Sequence, residues 1–225
     1  MKAVRYRAAA LLVPLLLLSA GCSGLLHSSA KAEQTYFLRA SPAAAAAGAP
    51  LPAALRVATP GAAPGLDSSH IVLVQPDHRM GFYAGSRWPA PAPAMVAALA
   101  VQTLRASGSW ASVQEAGSPF PSDFLLQVTL RRFEADYSGG AGAPEVHVVL
   151  DAILGRRDAS DVVGSFEVAG TASAAANRMG EVVSAFEQAT NQALAALAQQ
   201  SVALVRASQD APSQNALNPA PSSSR

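Results

Sequence analysis

Cysteine is nearly absent from this chain: Cys22 is the only one among 225 residues, so no internal disulfide can staple the fold. Charge is scarce as well, at 14% of residues with a formal net charge of +1. Lys2, Arg5 and Arg7 supply cations at the extreme N-terminus, which leaves the remainder slightly acidic. Binding nucleic acid calls for a concentrated basic face, and this balance argues against it. After residue 22 no apolar run approaches the ~20 residues that a transmembrane helix needs. Neither a Gly-x-Ser-x-Gly elbow nor a phosphate-cradling Gly-x4-Gly-Lys-Ser/Thr loop occurs. The four histidines, His27, His70, His78 and His147, have neither ligand spacing nor cysteine partners, so no metal or cofactor is expected. No catalytic constellation remains, and the chain is expected not to be an enzyme.

What is present begins with a secretion signal. The cations of residues 2–7 precede an apolar run from Ala8 to Leu18, and the small residues Ser19-Ala20-Gly21 lead to Cys22. A positive start, a short apolar segment and small residues before the cut form a signal peptide, here residues 1–21. Gly21-Cys22 followed by a polar linker resembles a lipobox, although Ser19 stands where leucine is usual. Cys22 is therefore the expected lipidation site and first mature residue. Several acyl chains, at ~0.8 kcal/mol per buried CH₂, suffice for stable anchoring without a spanning helix. Ser23, where aspartate favours inner-membrane retention, resembles an outer-membrane sorting signal, which gives a lipid-anchored protein facing the periplasm.

Residues 22–33 read as a tether, 34–206 as one domain with a core of its own, and 207–225, rich in Ser, Pro, Asn and Gln, as a disordered tail. Within the domain, Gln34 to Ala40 has strand composition, and Ser41 to Pro52 is an Ala/Pro/Gly-rich spacer. Leu55 to Ala58 and Ile71 to Val74 are short strands, with Arg79 to Tyr83 as a hairpin partner for the second. A helix follows Pro89, Pro91 and Pro93, with Met95, Leu99 and Leu104 near one face and Gly108 as its stop. Trp110 and Val113 mark a further strand.

Two patterns dominate the rest. Phe124, Leu126, Val128 and Leu130 alternate with polar or smaller partners, as do Val146, Val148, Leu150 and Ala152 after a glycine-rich loop. Val162, Gly164, Phe166 and Val168 form a third such set. Alternating strands joined by Gly- or Asp-rich turns build an antiparallel meander with one face buried. Glu134 and Asp136 share a strand face that reads as solvated surface, and His147 reads as an outward, solvated side chain. Asn177 reads as the N-cap of a long helix whose stripe is Val182, Phe186, Ala189, Ala193 and Leu197. The expected class is α+β: a two-layer domain with a largely antiparallel sheet against two helices.

The most distinctive stretch is Met80 to Pro89. Trp88 and Tyr83 can wedge the helix entrance against the sheet. Tyr83, Arg87 and Trp88 are equally of the residue types that make hot spots at partner surfaces. Tyr36-Phe37-Leu38, Leu66-Asp67, Tyr83 to Pro89, Ser107-Gly108-x-Trp110, Asp123 to Leu126 and Ala185-Phe186 together resemble the ABC-type transport auxiliary lipoprotein family over about residues 34 to 205. This chain departs from it in the longer spacer after Ser41 and in the Pro89 to Pro93 run, where an acidic residue is more usual.

The resemblance implies a non-enzymatic accessory lipoprotein, partner to the Mce-domain periplasmic subunit of an ABC transporter that moves lipid between the two membranes. A cyclic homo-oligomer would suit a tunnel-shaped partner. An assembly lipoprotein of another envelope machine, such as lipopolysaccharide export, is the alternative.

Overall fold

The computed structural model describes residues 33–41, 48–140, 142–159 and 161–210, so the signal, Cys22 and most of the tether and tail lie outside the described residues. The domain begins at Gln34. Its elements are β1 (Gln34–Thr35), β2 (Leu51–Val57), β3 (Gly61–Ala62), β4 (His70–Val74), β5 (Met80–Arg87), α1 (Ala92–Ala106), β6 (Trp110–Gln114), β7 (Phe124–Asp136), β8 (Glu145–Arg156), β9 (Asp161–Ser173) and α2 (Met179–Asp210). The α+β expectation is met, with both helices packed on strands of one sheet.

β7 organises the sheet. On one side it pairs antiparallel with β8 along its whole length, and β8 pairs antiparallel with β9. On the other side three short strands pair with it in parallel, β2 at Phe124 to Leu126, β3 at Thr129 and Leu130, and β4 at Ala135 and Asp136. The sheet is therefore mixed. β6 extends it beyond β2 in parallel, and β5 extends it beyond β4 as the antiparallel hairpin expected from sequence. The strand expected over Gln34 to Ala40 shrinks to two paired residues. The expected spacer gives up Leu51 and Pro52 to β2, whose Leu51 N–H donates to the Ser109 carbonyl.

Alternation places Leu126, Leu130, Val148, Leu150 and Leu154 in the core at 1% exposure or less. A bulge between Leu130 and Arg132 then inverts the parity of β7. Past it Phe133 and Ala135 point inward, and Arg132, Glu134 and Asp136 point outward. A register shift near Gly155 does the same to β9. Val162 pairs with Gly155 on the outward side and is exposed, not aligned with Gly164 and Phe166 as the sequence pattern suggested.

All five residues of the expected α2 stripe are fully buried. The helix lies on β9 and β8, and Gly170 and Gly164 set its distance. A side chain at Gly170 would meet the backbone of Ala189, and one at Gly164 would meet Leu204. Fifteen helical residues and six strand residues both span about 20–22 Å, so α2 tracks β9 almost along its axis. Two expectations at its ends are corrected. Asn177 does not cap it: its Oδ1 accepts the Tyr137 hydroxyl, and the helix starts at Met179. The helix also continues through residues 207–210, which the sequence assigned to the tail.

Candidate partner-docking site

The Met80 to Pro89 stretch becomes β5 and the crossing into α1. That crossing is fixed to the loop before β4, because Trp88 N–H donates to the Ser69 carbonyl (2.8 Å) and Ala92 N–H to the Ser68 carbonyl (2.9 Å). The Trp88 indole has no exposed surface. It lies 5.2 Å from Phe186 of α2, edge-on, and 5.7 Å from Phe133 of β7, with those two rings 5.0 Å apart. The three rings join strand, helix and crossing, which is the wedge role. Buried this way, the indole cannot reach a partner's surface, so a docking role does not extend to Trp88.

Arg87 is half-buried. Its Nη2 donates to Ser69 Oγ (3.0 Å), and its carbonyl accepts from Tyr36 N–H (2.8 Å), which fixes the start of the domain against β5. Tyr83 is also half-buried, on the side of β5 opposite Phe82. Its hydroxyl is 2.9 Å from that of Tyr137, which itself donates to Asn177 Oδ1 at 2.8 Å. Tyr137 has only one proton to give, so Tyr83 is the donor in their bond. Burial first, and the Tyr137 bond second, raise the Tyr83 pKa well above the usual 10.0.

That shift has a definite sign. Above pH ~10 the unfolded chain loses this proton while the folded domain keeps it, so stability falls as pH rises past that point. Tyr83→Phe should flatten the decline between about pH 10 and 11 and cost about 1 kcal/mol at pH 7. Urea titrations at both pH values would measure it. An identical alkaline slope in wild type and variant would exclude Tyr83 as the source.

The outward carboxylates form a second cluster at the mouth of the β7–β8 hairpin, beside a cleft of about 390 Å³ lined in part by Asp136, Tyr137, Glu145 and His147. Glu134 is buried, not solvated as its position on the strand suggested. Its two oxygens accept from Arg132 Nε (2.5 Å) and Phe133 N–H (2.8 Å). Burial opposes the charge of Asp136, yet hydrogen bonds from Ser138, with His147 and Arg132 nearby, hold its carboxyl below the usual 3.8. His147 faces outward as expected, but its side chain is only 20% exposed rather than solvated, with Nε2 3.3 Å from Glu145. These groups are internally matched, and no cluster among the described residues could hold a metal ion.

A further cleft of about 390 Å³ separates α1 from the end of β2. It is lined largely by Val57, Pro60, Ala94, Ala98 and Val101, with the Arg105–Glu115 pair at its rim. None of these arrangements pairs a nucleophile with a base. The residues that sequence reasoning missed are Met80 and Phe82, both about half exposed on the far side of β5 from Tyr83. Alternation along the strand was the signal that could have separated them from Tyr83.

The family model of the ABC-type transport auxiliary lipoprotein component matches residues 36–200. Among solved structures, a Xanthomonas campestris protein of the DUF330 family is similar, with 27% identity and a TM-score of 0.72 over 78% of this chain and 99% of that one. A second, of an uncharacterized protein, has 17% identity and a TM-score of 0.59 over 76% of this chain and 99% of that one, and speaks to the fold alone. No curated protein matches the sequence. Because the family match runs from just after β1 far into α2, across β2 to β9, the chain belongs to the ABC-type transport auxiliary lipoprotein component family.

Proposed function

We propose that this lipoprotein is a non-enzymatic subunit of an Mce-type ABC transport system, anchored in the outer membrane through Cys22 and docking the transporter's periplasmic Mce-domain subunit during lipid transport. The family match across the folded domain carries this reading. The geometry is compatible with it: the helices cover one face of the sheet, and the outward face of β8 and β9 leaves Ile153 and Val162 exposed. The 12-residue tether 22–33 reaches at most roughly 40–43 Å, so a partner that crosses the periplasm must come to the domain.

Two measurements test the proposal. Cys22→Ala should abolish labelling by a fatty-acid analogue and release the protein from the membrane; equal labelling of the two forms would refute lipidation there. Affinity purification of the detergent-solubilised lipoprotein after crosslinking should recover an Mce-domain protein. Recovery of lipopolysaccharide-export components without one would favour the alternative function.

A further inference from the structure

β5 lies at an edge of the sheet. On its outer side only the two residues of β1 pair with it, at Ser86 and Arg87, so Met80 to Gly85 present an unpaired stretch among the described residues. Met80 and Phe82 alternate along the outward side of this stretch, followed by the exposed Ala84. Met80 is 50% and Phe82 49% exposed, and Phe37, two residues beyond β1, is 59% exposed. An edge strand is ordinarily protected by charge, proline or a covering element. Here large apolar side chains are displayed instead.

Polar groups border them in a particular way. The His70 ring lies tilted against Phe82 with centroids 4.8 Å apart, Arg39 lies over the Phe37 ring at 5.2 Å, and the exposed Arg79, ion-paired with Asp77, stands at the turn before Met80. Aromatic rings and methionine flanked by cations and imidazole are the composition of a surface that rests in the headgroup region of a bilayer.

The point of chain entry says which surface that is. Gln34 pairs with Ser86, so the domain is joined to the preceding residues along this same edge. With Cys22 twelve residues upstream of Gln34, a lipid anchor holds the β5 edge within roughly 40–43 Å of the bilayer. The other exposed large apolar residues are Phe120, in the loop between β6 and β7, and Ile153 and Val162, on β8 and β9 across the sheet; the chain enters the domain at none of these places.

We propose that Met80, Phe82 and Phe37 form a membrane-resting edge that seats the domain on a phospholipid bilayer, with β5 toward the lipid and β9 away from it. The inference rests on the reading of Cys22 as the lipidated residue. Three partly exposed side chains are too few to hold a protein on a membrane alone. A covalent anchor changes this, because it makes the second contact intramolecular and raises the effective local concentration of lipid to the millimolar range or above. The surface therefore sets orientation, while the acyl chains set residence.

The test uses the full-length lipidated protein. Cys22 is the only native cysteine, so once it is acylated an introduced cysteine is the sole free thiol. An environment-sensitive fluorophore is placed at Met80→Cys, at Phe82→Cys, at the small exposed position Ala84→Cys and, as control, at Glu167→Cys on β9. The proteins are reconstituted in phosphatidylethanolamine/phosphatidylglycerol vesicles with and without a shallow nitroxide lipid. The β5 labels should shift to the blue and lose most of their emission to the quencher, while the β9 label keeps its aqueous spectrum. The Ala84→Cys variant removes no packed side chain, so its readout survives if the larger replacements disturb the fold. Vesicle-bound protein with all labels in water, or with all quenched alike, overturns the membrane-resting edge and leaves the anchor standing. Protein that fails to float with vesicles at all overturns the anchor and the edge together.

Discussion

Gly170→Ala should destabilise the domain by about 3 kcal/mol or more, at or above the upper end of ordinary overpacking. An ideal Cβ at this position would stand 1.9 Å from the Ala189 carbonyl oxygen and 3.0 Å from the Ala193 nitrogen, and both are backbone atoms of α2. A flexible side chain could swing aside, but a hydrogen-bonded helical backbone cannot. Relief requires lifting α2 from β9, and that would open gaps around Ala189, Ala193 and Leu194, all now fully buried. Gly180→Ala is the matched control, since nothing lies within 4 Å of its added methyl and it sits in the first turn of the same helix. Removing backbone freedom from the unfolded chain there should stabilise by about 0.4–1 kcal/mol. The two substitutions add the same atoms and should move the urea midpoint in opposite directions. A Gly170→Ala midpoint within error of wild type would mean that α2 does not seat on β9 as described.

Gly170 also shows where the sequence stops being informative. Strand periodicity put Val146, Val148 and Leu150 inside correctly, because burial of one face is local in sequence and repeats every second residue. The α2 stripe was readable for the same reason, with a period near 3.6. A glycine that sets a helix–strand distance carries no such signature, because its role is defined by Ala189, nineteen positions on and in another element. The bulge at Arg131 had a visible trace in Leu130-Arg131-Arg132-Phe133, where alternation breaks. Extending the earlier parity past that break would turn Phe133 outward, whereas the burial of Glu134 comes from its bonds to Arg132 and the Phe133 N–H, which alternation does not report. The parallel strands β2, β3 and β4 were the hardest to place. Each pairs with β7 over two or three residues, and parallel pairing leaves no turn in the sequence to announce it.

The Met80 to Pro89 stretch was legible as a segment and illegible as a surface. Composition singled out Tyr83, Arg87 and Trp88, but a strand sends neighbours to opposite sides. Gly85 at φ 66° and the register shift between β4 and β5 then break the parity that would have sorted them. Phe82 looks outward and Tyr83 reaches Tyr137, though they are adjacent in sequence. Asn177 was misread for a related reason. A cap and a tertiary acceptor use the same side-chain oxygen, and only the fold shows that Tyr137 claims it.

Trp88→Ala should lose about 3–5 kcal/mol, the range for large aromatic truncations in cores. For a domain of this size each kcal/mol moves the melting temperature by about 2–4 °C, so a fall of roughly 6–20 °C is expected. The cost comes from the loss of two ring contacts, to Phe133 and Phe186, and from a void where β7, α2 and the β5–α1 crossing meet. No polar interaction adds to it, since the indole Nε1 finds no hydrogen-bond partner among the described residues. That makes Trp88→Phe informative. It retains a ring between Phe133 and Phe186, removes an unsatisfied donor, and leaves a smaller void, roughly 40 Å³, worth about 1 kcal/mol at ~24 cal/mol per Å³. Stability should therefore fall in the order wild type, Trp88→Phe, Trp88→Ala. At temperatures where each variant remains folded, recovery of the proposed Mce-domain partner by pull-down should be unchanged. A Trp88→Phe variant that melts like wild type yet no longer captures the partner would place the indole at the interface and contradict its burial.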